Sequence, residues 1–335
     1  MATICKRGKY QWQAKIRKKR YPQVSRTFYT KKDAEKWATE VESKMNNGLY
    51  MDMTEAQNTI LHEALERYAR EVTLTKKESS VELGRIRRWQ KHKLAKYSLA
   101  VIRGKDMAAY RDQRIAEGRA ANTIRLELAI ISHLYTIAKK EWGMENLINP
   151  VSNIRLPPLP AGRSRRLEGD EETRLLEVAE QSRSRMIKPI IILSLETGAR
   201  RKDLADMKWQ HINFNDRTWF IPDSKTPLSR RVTRTVPLST TAIAILKELR
   251  NKASRDDEFV FSIQKRSITR AFSRCCKRAK IENFHLHDLR HEATSRFFEK
   301  GLNIMEVASI TGHKDPKMLQ RYTHPRAKDI ALKLG

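Results

Sequence analysis

His287-Asp288-Leu289-Arg290-His291-Glu292-Ala293 opens a stretch that runs on through Thr311-Gly312-His313 and closes on Arg321-Tyr322-Thr323-His324. Its apolar positions recur at helical spacing, which predicts helices at 288–300 and 303–311 with Gly312 as the stop. His287 and Arg290 stand three apart and share one face if a helix begins there. Nine residues after His313 comes Tyr322. Singly, each feature has an ordinary reading: a capping pair, a helix stop, a tyrosine at the rim of a core.

The same domain extends back toward 167. Helices are expected at 169–181, 184–196, 200–208, 239–251 and 266–280. Short strands are expected at 212–214, 218–221 and 233–238, joined by Asn215-Asp216 and by Lys225-Thr226-Pro227. The result is a mostly helical domain over 167–335 carrying a small antiparallel sheet. Thr197-Gly198-Ala199-Arg200 puts Arg200 at a helix N-terminus, where phosphates bind well. Lys225 falls in the hairpin turn, a mobile place for a cation. Alone, Arg200 is a helix-end charge and Lys225 one surface lysine among many.

The chain has 335 residues, 68 of them Lys or Arg against 39 Asp or Glu, for a net charge of +29 and a pI near 10.2. That length suits two or three domains. Apolar residues make up 39%, enough for real cores, which excludes wholesale disorder. A compact body this positive repels itself, and a polyanionic partner is the usual reason such a charge is kept. No apolar run approaches the ~20 residues needed to span a bilayer. Met1 to Arg7 lacks the apolar core of an export signal, so a cytoplasmic protein without membrane attachment is expected. Cys5, Cys275 and Cys276 cannot build a disulfide framework.

Residues 1–52 carry much of this charge, with 13 Lys or Arg and 4 acids among the first 50, yet they are patterned as a folded module. Tyr10, Trp12, Ala14 and Ile16 alternate with polar residues, and 24–29 reads as a second strand, giving a hairpin. Ala34, Trp37, Ala38 and Val41 then give one helical face after Thr30, with Asp33 at capping-box spacing. The basic hairpin residues Lys15, Arg17, Lys18, Lys19 and Arg20 are candidates for a DNA groove, or else a solvated face. Residues 55–150 read as all-helical, with stripes at Leu61/Ala64/Leu65/Tyr68 and Val81/Leu83/Ile86/Trp89. A third helix over 105–117 stops at Gly118, and a fourth is marked by Ile124, Leu128, Ile131, Tyr135 and Ala138. Arg87 and Arg88 lie on the basic outer faces of this four-helix domain. Residues 151–166, rich in proline, read as an exposed basic linker whose Arg163, Arg165 and Arg166 are further DNA candidates.

Order and spacing change the weight of the separate clusters. The chain resembles the tyrosine recombinase, or phage integrase, family through Arg200 in a Thr-Gly-x-Arg-x-x-Asp/Glu-Leu box, Lys225 before Arg234-Thr235-Val236-Pro237-Leu238, His287-x-x-Arg290, Gly312-His313 and Tyr322. The helical domain, closing on Asn149-Pro150, looks like the family's core-binding domain. The first 50 residues look like an arm-type DNA-binding module. His287 to Ala293 and the segment around Tyr135, Ala138 and Trp142 also look like shufflon-type DNA invertases. Asp203 stands where Glu is commoner, Thr311 where Leu usually precedes Gly-His, and Glu292 where Ser or Thr is frequent. None of these removes a catalytic group.

The resemblance implies a site-specific recombinase with catalytic Arg200, Lys225, His287, Arg290, His313 and the nucleophile Tyr322. The chemistry agrees. Attack on a phosphodiester adds charge to oxygens that two guanidiniums can brace bidentately. Donors so placed are worth roughly 10²–10³ in rate each. A free phenol titrates near ~10 and needs a cationic site and a base, for which His287 is a candidate. His313 would donate to the phosphate, and Lys225 would protonate the departing 5′-oxygen. Arginines doing this work need no metal, and no cofactor is expected. The family resemblance implies double-stranded DNA and a homotetramer, and arm-site binding would call for DNA-bending accessory proteins. Integration and excision of a mobile element is the leading expectation, with inversion as the alternative. Two others stand beside them. A type IB topoisomerase-like relaxing enzyme would share the chemistry. A non-catalytic DNA-binding regulator would use a helix-turn-helix at 304–322.

Overall fold

The computed structural model describes residues 2–19, 21–48, 50, 52–76, 79–222 and 233–323. The chain divides into two compact units, Met1–Ala161 and Gly162–Gly335. Among the described residues no helix is long and apolar enough to cross a membrane.

The first unit holds two separate apolar cores. In the smaller, β1 (Ala2–Gly8), β2 (Gln11–Ile16) and β3 (Val24–Phe28) form an antiparallel sheet in sequential order. Trp12 faces Phe28, and Ile16 faces Val24. Ala14 and Ile16, alternate residues of β2, are fully buried beneath α1 (Lys31–Asn46), which returns Ala34, Ala38, Val41 and Met45. The Thr30 side chain accepts from Asp33 N–H at 3.1 Å, capping that helix. The expected hairpin therefore has a third, N-terminal strand. Its apolar alternation is limited to Ala2 and Ile4 before Cys5-Lys6-Arg7, too short a signal for its seven residues.

The larger core lies among α2 (Thr54–Asn58), α3 (Leu61–Tyr68), α4 (Ser80–Gln90), α5 (Gly104–Ala116) and α6 (Ala121–Glu141). A π-helical turn, Ala69–Thr73, extends α3. Trp89 stacks on Tyr110 at 3.9 Å. A buried Arg114–Glu127 pair is completed by the Tyr110 hydroxyl, which donates to the same carboxylate at 2.9 Å. Past Gly118, with φ of +69°, the chain turns into α6. Asn149 then anchors the closing turn by donating to the Ser132 carbonyl and hydroxyl at 3.1 and 2.9 Å.

In the second unit, α7 (Glu171–Glu180), α8 (Ile187–Thr197), α9 (Arg201–Ala205), α10 (Thr240–Lys252), α11 (Lys265–Arg278), α12 (Asp288–Glu299) and α13 (Ile304–Thr311) pack around one core. α8 is buried around most of its circumference and forms the centre, as its apolar run Ile190-Ile191-Ile192-Leu193 requires. β4 (Ile212–Asn213), β5 (Thr218–Ile221) and β6 (Arg234–Pro237) make the antiparallel sheet, with Trp219 opposite Val236. α9 ends sooner than the expected 200–208. The chain turns extended at Lys208, and 207–209 pair with 258–260 instead, Val260 N–H donating to Met207 O at 2.9 Å and Trp209 N–H to Glu258 O at 3.1 Å. A 3-10 helix, Pro316–Tyr322, follows α13.

The stretch read as an exposed basic linker is less free than expected. Its three arginines are tied to the second unit by carboxylates. Arg163 binds Asp288 at 2.7 Å, Arg165 binds Glu171 at 2.5 Å, and Arg166 binds Glu292 at 3.0 Å. Asp288 and Glu292 are almost fully buried, so each needs a cation, and the linker arginines Arg163 and Arg166 each supply one.

Candidate active site

Five turns and helix ends converge in the second unit, and two of them depend on glycine. Gly198 closes α8 with φ of +59°, and Gly312 closes α13 with φ of +71°. A Cβ on Gly198 would press on Phe297 and Thr311 at 3.4 Å, and one on Gly312 would run into the Arg234 guanidinium. The first turn delivers Arg200 to the N-cap of α9, where its side chain is exposed. Its guanidinium donates to the Gly312 carbonyl at 3.3 Å.

Arg290, on the first turn of α12, is 4% exposed. It donates to the Gly198 carbonyl at 2.6 Å and lies 3.2 Å from His313 Nε2. No carboxylate among the described residues pairs with it. Burial, and then the positive charges of Arg200 and Arg234, push this guanidinium down to about 9. It remains a cation at neutral pH, with Asp203, itself bonded to Arg234, as the carboxylate whose charge acts on it.

His313 has its tautomer fixed by a neighbour. Thr311 Oγ1 donates to the Val307 carbonyl at 2.6 Å, so it accepts from His313 Nδ1 at 2.7 Å. Nε2 then carries the lone pair and accepts from Arg290. Burial, followed by the cations Arg290 and Arg200, pushes His313 down to about 4. His287 stays accessible as a residue. The shielding it does have, then Arg290, holds it below the ordinary histidine range.

Tyr322 ends the 3-10 helix, half-buried, with Arg321 over its ring at 5.5 Å. Its hydroxyl is hydrogen-bonded to His291 Nδ1, and the two rings stack at 5.8 Å with 26° between planes. Burial raises the phenol above its ordinary value, while Arg321 and Arg290 pull it back.

Five of the six predicted catalytic residues thus lie in the second unit with described geometry, and Arg200, Arg290 and His313 meet around the Gly198 and Gly312 turns. Lys225 and Arg20 lie outside the described residues. Lys15, Arg17, Lys18 and Lys19 sit on or beside β2 in the first unit, where Arg17 donates to Gln23 at 2.8 Å and Lys18 to Asn46 at 2.6 Å. Arg87 and Arg88 are on the exposed side of α4, and Arg88 pairs with Glu127 at 3.2 Å.

Sequence reasoning missed two residues here. Arg234 donates to the Thr311 carbonyl at 3.1 Å and to Asp203 at 2.7 Å, and its buried Nε has no hydrogen-bond partner. The available signal was strand alternation, which puts Arg234 on the same face as the buried Val236. His291 was signalled by its place one helical turn after His287. Among the described residues no cluster of three or more His, Cys, Asp or Glu could hold a metal ion.

Residues 165–329 match the phage integrase family. A shufflon-specific DNA recombinase of Escherichia coli is 38% identical over 282 residues, spanning 82% of this chain and 71% of the relative. A Haemophilus influenzae protein described as an integrase/recombinase is 34% identical over 349 residues, spanning 100% of this chain and 91% of its own. Among solved structures, a Tn1549 transposon integrase bound to a circular-intermediate DNA shares the fold with a TM-score of 0.68 at 14% identity, covering 83% of this chain and 99% of that one. A lambda integrase tetramer on a Holliday junction does so with a TM-score of 0.64 at 22% identity, covering 94% and 93%.

Proposed function

The chain belongs to the phage integrase family and is a site-specific DNA recombinase, and we propose that Tyr322 is its nucleophile. The observation that carries this reading is the uncompensated charge of Arg290. A buried guanidinium bonded, among the described residues, to a carbonyl and a neutral imidazole is suited to an anion that arrives from outside. A DNA phosphodiester, gripped by Arg290 and the exposed Arg200, supplies that anion beside the Tyr322 turn.

Tyr322 Oη attacks the scissile phosphorus, and the 5′-oxygen leaves. Arg200 and Arg290 brace the non-bridging oxygens as charge accumulates on them. In the free protein His313 Nε2 is an acceptor; the bound phosphate's negative charge favours its protonation, which turns it into a donor to that phosphate. His287, on the accessible side of α12, is a second phosphate donor. Lys225 protonates the departing 5′-oxygen, a task suited to an ammonium and not to a guanidinium. The 3′-phosphotyrosine ester keeps the bond energy, so a second strand's 5′-hydroxyl reverses the step without ATP, metal or cofactor. Exchange between two duplexes requires four such sites, hence a homotetramer. In this reading residues 1–52 bind arm sites, 55–150 grip the core site, 151–166 connect, and 167–335 perform chemistry in the cytoplasm. Distant arm sites then require DNA-bending accessory proteins.

Integration and excision of a mobile element fit the additional N-terminal module. Inversion is the second reading, favoured by the 38% identity to a shufflon-specific recombinase. The test is trapping on nicked DNA taken from the gene's own flanks, in chelator, with wild type and Tyr322→Phe. A covalent adduct in wild type alone is expected; an adduct persisting in Tyr322→Phe, or none on flanks that bind, contradicts the assignment. Plasmids bearing the cleaved site in direct or inverted pairs then separate excision from inversion.

A further inference from the structure

His291 has no role in the scheme above, yet it is the side chain that touches the nucleophilic oxygen. It follows Arg290 directly on α12. The Tyr322 hydroxyl donates to Nδ1 when the imidazole carries its proton on Nε2, and the ring stacking fixes the approach. His287, the base expected from the sequence, has its ring contact with His291 itself, at 5.1 Å and nearly perpendicular.

We propose that His291 is the general base that removes the Tyr322 proton during attack, an inference that rests on Tyr322 being the nucleophile. The step balances. The Oη–P bond forms as the Oη–H proton passes to Nδ1, and the P–O5′ bond breaks with its electron pair going to the 5′-oxygen. That oxygen takes its proton from the separate acid assigned to Lys225. On religation His291 returns its proton to Tyr322.

The surroundings suit a base held ready in its neutral form. His287, Asp288 and Arg290 face it from α12, Arg321 and Tyr322 from the 3-10 helix, and His313 from the turn after α13. Burial, then His287 and Arg321, push its pKa down to about 4, so the lone pair is free at neutral pH. A phosphodiester settling on Arg290 adds negative charge nearby and raises the basicity of the imidazole as the proton begins to move.

Single-turnover cleavage of nicked duplexes tests this with two substrates, one natural and one with sulfur in place of the bridging 5′-oxygen. A thiolate leaves without a proton, so sulfur rescues loss of the acid and leaves loss of the base unrepaired. His291→Asn can keep a hydrogen bond near the Nδ1 position but cannot accept the proton; His291→Ala removes both. Both variants are expected to slow adduct formation by roughly 10²–10³ on both substrates, with DNA affinity and thermal midpoint close to wild type. Added imidazole should restore part of the His291→Ala rate. Wild-type cleavage by His291→Asn, or rescue of that variant by sulfur, overturns the proposal. If His291→Ala fails to fold, His291→Asn still decides. No adduct from wild type overturns the Tyr322 assignment and this inference with it, whereas a wild-type adduct matched by His291→Asn overturns this inference alone.

Discussion

The proposed role of His313 turns on a single hydrogen-bond polarity. With Nδ1 spent on Thr311 and Nε2 accepting from Arg290, the free protein holds it neutral, and protonation would set two cations against each other. Its pKa falls from the ordinary 6.5 to about 4, and that of His291 does the same. Both shifts are downward, so the folded state binds fewer protons than the unfolded chain between those values. The stability they confer is whole above pH 6.5 and is lost as pH falls toward 4. Each histidine adds at most about 1.4 kcal/mol per pH unit, and less here because both are partly accessible. Urea unfolding at pH 7.5, 6 and 5 should show falling midpoints, with a shallower fall in His313→Gln; equal slopes would mean that His313 is not held neutral. The carboxylates Asp288 and Glu292 lie below their ordinary ranges and lose their contribution only at lower pH. Sequence spacing exposed His313 as one of a set. It could not expose the tautomer, which depends on Thr311, a departure from the family's usual residue.

At the scale of elements, α12 carries two of the proposed catalytic groups and is held from behind. Arg290 meets His313 and His291 meets Tyr322, while Asp288 and Glu292, one turn apart, anchor Arg163 and Arg166. Asp288 has few substitutes for Arg163: the His285 N–H donates to it at 2.8 Å and the His285 ring lies 3.5 Å away. Arg163→Ala should therefore cost about 2–3 kcal/mol of stability, read as a lower denaturant midpoint. The salt dependence of DNA binding should stay the same, since that cation is already spent inside the protein. A reduced salt slope would restore Arg163 to the DNA-binding set. Glu292 keeps Arg296 at 2.7 Å, so Arg166→Ala is the milder change. These pairings explain what the sequence hid. Helices α6, α10, α12 and α13 were legible from their apolar period, reinforced in α10 by the Ser239 cap and in α13 by Asn303 and Gly312 at its ends. The pairings of Arg163 and Arg166 were not legible because their partners lie more than a hundred residues away. The helix expected over 200–208 broke early because a distant strand-like segment at 258–260 claims its last backbone groups.

For the whole molecule, a charge of +29 is spread over both units, and its first 50 residues fold around a core of their own. That core, built from Ala14, Ile16, Ala34, Ala38, Val41 and Met45, shares no member with the helical core that follows. The separate core and the local concentration of charge are the grounds for expecting residues 1–52 to be separable. A chain lacking them should keep its remaining cores and should still form the Tyr322 adduct on a short core duplex. Its affinity for a longer duplex carrying flanking sites should drop. The slope of log affinity against log salt should become shallower by about 0.9 for each phosphate contact removed. Titration of both chains on short and long duplexes between low and moderate salt measures this directly. Parallel slopes on the long duplex would mean that the basic hairpin around Arg17 and Lys19 is a solvated face, and that the binding charge lies on α4 and in the second unit. Loss of adduct on the short duplex would mean instead that the N-terminal module is needed for chemistry, which its separate core argues against.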